Sequence, residues 1–292
     1  MINTGVRFVK DVSKNIHAYY NHNNERYISV TSLLGEYKQK FDKNFWSIYK
    51  AIQHKLNIPV ERKSEFSKMY VKYGGDSKWE TLSYEPLVKI CVDNNISIDS
   101  IQGLKKEIGD KWDVENKKST DRGTRYHDKK EQESYSSGKD TIGKDEAITV
   151  TSYSFNLIDL KDGFHSELML YNHKWKLAGQ MDKAIIVTDL FEIRWVKADD
   201  YKTNKKIDIK NPIGKKMKFP LNHLDDCNFI HYCLQINTYM FMLIEEGYKA
   251  SFPARFTHVL LNDKEEEIGS TAYMIPDMQK EVKDMLNHYR NA

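Results

Sequence analysis

The chain has 292 residues, 40% of them hydrophobic, with 45 basic against 42 acidic side chains and a net charge of +3. That is enough apolar material for a real core and marks a globular protein, while a charge so evenly balanced names no partner by itself. No uncharged apolar run reaches membrane-spanning length and the opening "MINTGVRFVKDVSK" lacks the apolar stretch of a secretory signal, so a cytoplasmic location is expected. The three cysteines, Cys91, Cys227 and Cys233, are odd in number and show no CxxC spacing. They are expected as small buried hydrophobes, neither a disulfide framework nor a four-cysteine zinc or iron–sulfur site.

From about residue 30 to 118, "VTSLLGEYKQKF", "NFWSIYKAIQHKL" and "YEPLVKICVDNN" carry apolar residues at three- and four-residue spacing, so residues 1–118 are expected as a helical N-terminal region. "STDRGTRYHDKKEQESY" (119–135) opens on good N-cap residue types and continues as a polar helix that ends near "SSGKD". The period then changes to that of strands. "FHSELMLYN" (164–172), "WKLAGQMDKAIIV" (175–187) and "FEIRWVKADDYKT" (191–203) are joined by short turns and predict a three-stranded antiparallel meander. A long apolar helix is expected at "NFIHYCLQINTYMFMLIEEG" (228–247), closed by Gly247. "RFTHVLLN" (255–262) reads as a returning strand able to lie parallel to an earlier one, and "DMQKEVKDMLNHYR" as an amphipathic closing helix. The expected class is α/β, with a core over 119–292.

Within the meander, Asp182 sits in the middle of the second strand, and Asp200 and Lys202 share one face of the third because strand side chains alternate. A short hairpin lets Asp182 and Asp200 meet across neighbouring strands, while Asp199 is expected on the opposite face. Two carboxylates suit Mg²⁺ or Mn²⁺, ions that activate water and neutralise charge developing on a phosphate. A nearby lysine can orient or deprotonate that water and offset the transition-state charge. Between Lys202 and Lys218 stand seven lysines against one acid, Asp208, the kind of segment that phosphate backbones attract and that also occurs as a solvated loop.

Asp182 followed by "DYK" (200–202) resembles the PD-(D/E)XK nuclease motif. Further elements follow the order of the RecB-like branch of that superfamily: "GTRYH" (123–127) resembles its GTxxH helix, "SEL" supplies Glu167, and "QINTY" (235–239) matches its QxxxY helix. The segment "YISVTSLLGEYKQKFDKNFW" is similar, more loosely, to the lead-in of mitochondrial genome maintenance exonuclease relatives and phage exonucleases. The resemblance implies a restriction-endonuclease-like core, a central mixed sheet flanked by helices, and a metal-dependent nuclease that acts on DNA ends, single strands favoured, in replication, recombination or repair. If the chain is phage-encoded, its place would be the host cytoplasm.

Carried over by position, the resemblance implies that Asp182 bridges one or two ions and that Asp200 and the backbone carbonyl of Tyr201 ligate the catalytic one. Lys202 would hold the attacking water, and His127 would complete the first ion's shell, moving preference towards Mn²⁺. Glu167 would support a second ion, and Gln235 and Tyr239 would buttress the lysine and meet the nucleic-acid backbone. Thr124 of the GTxxH helix and Lys205, Lys206, Lys215 and Lys216 are further expected contacts to nucleic acid. Glu131 is expected as a neighbour of the site. The iron–sulfur staple of some relatives is not expected here. Other readings stay open: an inactive nucleic-acid-binding protein on the same fold, a structure-specific endonuclease, or RNA as the substrate.

Overall fold

Runs rich in aromatic and β-branched residues open the chain as three strands, β1 (Arg7–Asp11), β2 (Ile16–Tyr20) and β3 (Arg26–Ser29), antiparallel in sequence order. The computed structural model describes residues 6–11, 16–136, 151–153, 157 and 160–291. At the end of β3, the Ser29 hydroxyl accepts the N–H of Ser32 and so caps helix α1 (Val30–Tyr37). Helices α2 (Lys43–Lys55), α3 (Lys63–Lys72) and α4 (Glu85–Asp93) follow, α2 capped by Asp42 through the N–H of Phe45, before the 39-residue helix α5 (Ile98–Ser136).

The remaining strands are β4 (Thr151–Tyr153), β5 (Gly163–Asn172), β6 (Leu177–Thr188), β7 (Arg194–Asp199) and β8 (Tyr201–Lys202). After helix α6 (Asn228–Glu245) come β9 (Lys249–Ala250), β10 (Ala254–Leu261), β11 (Glu267–Ile275) and helix α7 (Gln279–Asn291). The architecture is α/β. One mixed sheet runs β4-β1-β2-β3-β6-β7-β9 with β5 on the other side of β6, and a second runs β11-β10-β8. The expected meander is present, since β5 and β7 each pair antiparallel with β6. The returning strand β10 lies parallel to β8, as anticipated. Ten of α6's eighteen residues are buried, which makes it the helix that seals the sheet's core.

Two compact units divide the chain: Met1–Lys38, Arg122–Lys210 and Met217–Ala292 form one, and Gln39–Asp121 with Asn211–Lys216 the other. The helical unit has its own aromatic core around Phe45, Tyr49, Phe66, Tyr70 and Trp79, with Tyr70 and Trp79 stacked at 4.9 Å. Gly75 lies against the Tyr70 ring so closely that a Cβ would sit 2.1 Å from it, so no larger residue fits there.

Two expectations are corrected. The N-terminal region is not helical throughout: β1–β3 join the sheet, because β3 pairs in parallel with β6 (Ile28 opposite Leu177). Residues 1–38 therefore belong to the unit of the sheet. The polar helix does not begin at Ser119; those residues lie inside α5, where the Thr120 hydroxyl turns back to the carbonyl of Asn116 at 3.0 Å in place of capping. Pairs such as Glu107–Lys111 and Lys106–Asp110 favour helix continuing through this stretch. The three cysteines are buried, as expected.

Candidate functional site

The site lies where β7 leaves the first sheet. Along β6, Ser29 of β3 pairs with Ala178 and Asp199 of β7 with Lys183, so residues 179–182 of β6 face a gap between two strands on that side. Past Asp199 the chain crosses to the second sheet as β8, and Asp182 closes the gap by accepting the N–H of Tyr201 at 2.8 Å. Crevices of this kind, where strands diverge, are where α/β sheets bind ligands.

Three donor side chains meet there. The register sets Ser166 opposite Lys183 and Leu168 opposite Met181, so Glu167 of β5 faces Asp182 of β6. Glu167 holds φ at +49°, a left-handed conformation that costs a non-glycine residue about 1–3 kcal/mol and is here held inside a strand. His127 reaches in from α5, its Nδ1 3.2 Å from Asp182 Oδ2 and 3.7 Å from Glu167 Oε1. One ligand atom from each of His127, Glu167 and Asp182 lies within 4.8 Å of the others, a spacing that can hold a metal ion. A cavity of about 290 Å³ opens onto them, with Glu131 and Tyr201 also in its wall.

The "GTRYH" segment places the histidine. Gly123 lies against the end of β8, where a Cβ would be 3.4 Å from Thr203 Oγ1, and Arg122 donates to the Thr203 carbonyl at 3.1 Å. Arg125 pairs with Glu265, and Tyr126 packs edge-on against Tyr201 while donating to Glu267. Thr124 is exposed.

Asp200 is not one of these three donors. It is 1% exposed, and neither carboxylate oxygen accepts a well-formed hydrogen bond; only the Lys202 ammonium lies against it, 2.5 Å from Oδ1. Lys202 in turn rests over the Tyr232 ring at 4.9 Å, whose hydroxyl donates to Asn204. Asp199 faces the other way, as expected, and pairs with Arg255 at 2.7 Å.

The electrostatics follow from burial and crowding. Burial pushes Glu167 up to about 7, the Asp182 charge adding to it against the pull of His127. Burial likewise raises Asp200 to about 7, the Asp182 charge adding to it against the pull of the Lys202 ammonium. Burial also acts on Asp182, but the His127 hydrogen bond and charge overcome it and hold its carboxyl low. For His127 the desolvation that favours the neutral ring is overcome by Asp182 and Glu167, to about 10. Lys202, despite burial, is kept charged by Asp200 and Asp182.

On α6, Gln235 donates to the Tyr239 hydroxyl at 3.0 Å. Tyr239 is buried over Gly179 of β6, where a Cβ would fall 2.6 Å from its ring. The expected support of the lysine by this pair is not what the structure places beneath it: the ring against the ammonium is Tyr232. Sequence reasoning missed that residue, although Tyr232, Gln235 and Tyr239 at i, i+3 and i+7 mark one helical face. Tyr19 of β2, buried and within electrostatic reach of Glu167, was missed as well.

In the lysine segment, Lys205 and Lys206 are exposed, Lys206 pairing with Asp208 at 2.7 Å. Lys215 is half-buried and Lys216 exposed, both in the helical unit. The segment is thus divided between the two units. No helix among the described residues is long and apolar enough to cross a membrane. A scan against models of known protein families finds no match to this chain, and neither does a search of characterised proteins.

Proposed function

We propose that the protein is a divalent-cation-dependent nuclease of the PD-(D/E)XK type that degrades DNA from free ends, single strands favoured, in replication, recombination or repair. One observation carries this reading: His127, Glu167 and Asp182 converge within 4.8 Å, and a buried Asp200 has only the Lys202 ammonium as its side-chain partner. Three carboxylates, Glu167, Asp182 and Asp200, crowd against one imidazole and one ammonium, and a divalent cation is what this surplus of carboxylate oxygen suits. Carboxylate oxygens fit Mg²⁺, and the imidazole favours Mn²⁺. Such an ion, when bound, supplies an activated water and charge neutralisation at the scissile phosphate.

The chain's own groups divide the remaining work. His127 must give up its proton before Nδ1 can ligate, so ion binding releases protons from this site. Asp182, held by the N–H of Tyr201, keeps its ionised carboxylate aimed at the donor cluster. Lys202 stays an ammonium between Asp200 and the Tyr232 ring, able to donate to the attacking water and to offset charge on the five-coordinate phosphorus. Water's oxygen bonds to phosphorus, the P–O bond to the leaving sugar breaks, and that oxygen is protonated as it leaves. The test is cleavage of end-labelled linear DNA and of closed circles with Mg²⁺ or Mn²⁺. Degradation of linear single strands with circles spared is expected. Nicked circles would make it an endonuclease, and absence of cleavage with either ion refutes the reading.

A further inference from the structure

A second cavity, of about 1070 Å³, opens in the unit of the sheet around the end of β3, the start of α1, the β5–β6 turn and the end of α7. Its wall holds five cationic side chains, Arg26, Lys174, Lys176, Lys218 and Arg290, against one acid, Glu36. The whole chain is nearly balanced at 45 to 42, so this is a local concentration of positive charge. Part of it is already compensated from nearby: Lys174 pairs with Glu245 at 3.7 Å and Lys176 with Glu25 at 3.5 Å, while Lys218 donates to the Glu36 carbonyl. The exposed guanidinium of Arg26 forms no hydrogen bond or ion pair among the described residues, and that of Arg290 only lies over the Trp175 ring at 5.8 Å.

Aromatic rings alternate with these cations. Phe219 is 66% exposed and Tyr289 40%, and Trp175 presents its ring between Lys174 and Arg290. Cations alone would suit any anion; rings set among them suit a ligand that carries flat apolar faces on a phosphate chain. The volume exceeds the roughly 300–1,000 Å³ that holds a drug-sized molecule, which is room for more than one nucleotide. Tyr19 also belongs to this wall, and Tyr19 is in electrostatic reach of Glu167 of the candidate site.

We propose that this cleft binds a single-stranded polynucleotide, its phosphates against Arg26, Lys176, Lys218 and Arg290 and its bases against Trp175, Phe219 and Tyr289. That this polynucleotide is also what the carboxylates cut rests on the nuclease reading. Phosphate contacts release counterions on binding, and stacked bases tolerate any sequence, so affinity should depend steeply on salt and little on base order.

The experiment is fluorescence anisotropy with labelled oligo-dU and oligo-rU, which differ only in the sugar, in EDTA, where nothing is cut, over a range of salt. Three proteins are compared: wild type, Arg26→Gln with Arg290→Gln, and Phe219→Ala with Tyr289→Ala. All four side chains are exposed, so the variants are expected to fold, and thermal unfolding checks it. The charge variant should flatten the slope of log affinity against log salt by about 1.4, from about 0.7 per phosphate contact on single strands. The aromatic variant should weaken binding about fivefold to 150-fold per lost stack with the slope unchanged. Binding of either oligonucleotide in this pattern supports the cleft, and the tighter one identifies the sugar. Wild-type affinity in both variants overturns the proposal even if the protein cuts DNA. A flattened slope with no effect of the aromatic pair reduces the cleft to a general anion site and overturns it too. Normal cleft behaviour without Mn²⁺-dependent cleavage leaves the cleft standing and removes the nuclease.

Discussion

Replacing Glu167 by glutamine should make the metal-free protein more stable while weakening its hold on a divalent ion. Burial raises this carboxyl from 4.5 to about 7. At about 1.4 kcal/mol per pH unit, the ionised form costs the fold up to about 3.5 kcal/mol. Coupling to His127 and Asp182 reduces what a single substitution recovers, so a gain of about 1–3 kcal/mol is expected. The sign follows from the direction of the shift. A raised carboxyl leaves stability intact below pH 4.5 and removes it progressively as the pH rises to about 7, so the advantage of Glu167→Gln grows over that window and is constant above it. Glutamine keeps an oxygen for His127, so the packing survives. The assay is thermal unfolding in EDTA at pH 5 and 8.5, with an expected rise in Tm of about 2–10 °C at the higher pH and little at the lower. Mn²⁺ at a hundredfold over its Kd should stabilise the wild type by about 2.7 kcal/mol and the variant by less. A variant less stable than wild type at pH 8.5, or an equal response to Mn²⁺, refutes the assignment of Glu167 as a strained donor waiting for a cation.

Asp182→Ala should abolish Mn²⁺ binding in calorimetry, whereas Lys202→Ala should keep the ion and lose about 10²–10³ in single-turnover cleavage; normal cleavage by the lysine variant would contradict its role. Gly179→Ala places a methyl group 2.6 Å from the Tyr239 ring, so it should cost about 1–3 kcal/mol in urea unfolding and lower activity with it. Arg255→Ala leaves Asp199, 2% exposed, without its cation and should cost about 2–3 kcal/mol, a discount on a fully buried pair because the arginine is half exposed. Its Mn²⁺ affinity should stay that of wild type.

Much of the site's neighbourhood was readable because it is local. The two-residue period of a strand puts Asp182 on β6 and separates Asp199, paired with Arg255, from Asp200 and Lys202, which pair with each other. The single strand expected over 191–203 is instead broken at Asp200, β7 ending at Asp199 and β8 joining the second sheet. The apolar run of 228–247 likewise announces α6. What escaped depends on distant partners. Nothing near Ile28 tells that it will pair with Leu177, so the first strands read as a lead-in and not as part of the sheet. Glu167 was singled out by the "SEL" resemblance, but its left-handed backbone was not legible, since it arises from the strands around it and not from its residue type. Tyr232 was hidden by the apolar character of its helix, in which a ring is expected to face the core. The length of α5 was underestimated because Ser119 and Thr120 are good caps that are also tolerated inside a helix.

The crossing of the chain from β7 to β8 orders events during synthesis. His127, Glu167, Asp182, Asp200 and Lys202 are all made before residue 203, yet β8 has its parallel partner only when Thr257 and His258 of β10 arrive. His258 also hydrogen-bonds the carbonyl of Asn204, and Asn204 receives the hydroxyl of Tyr232 from α6. A growing chain therefore carries every candidate donor for more than fifty residues before the strand that pairs with β8 is made. The order of synthesis leaves β8, which carries Lys202, without its partner strand until most of the fold has been made.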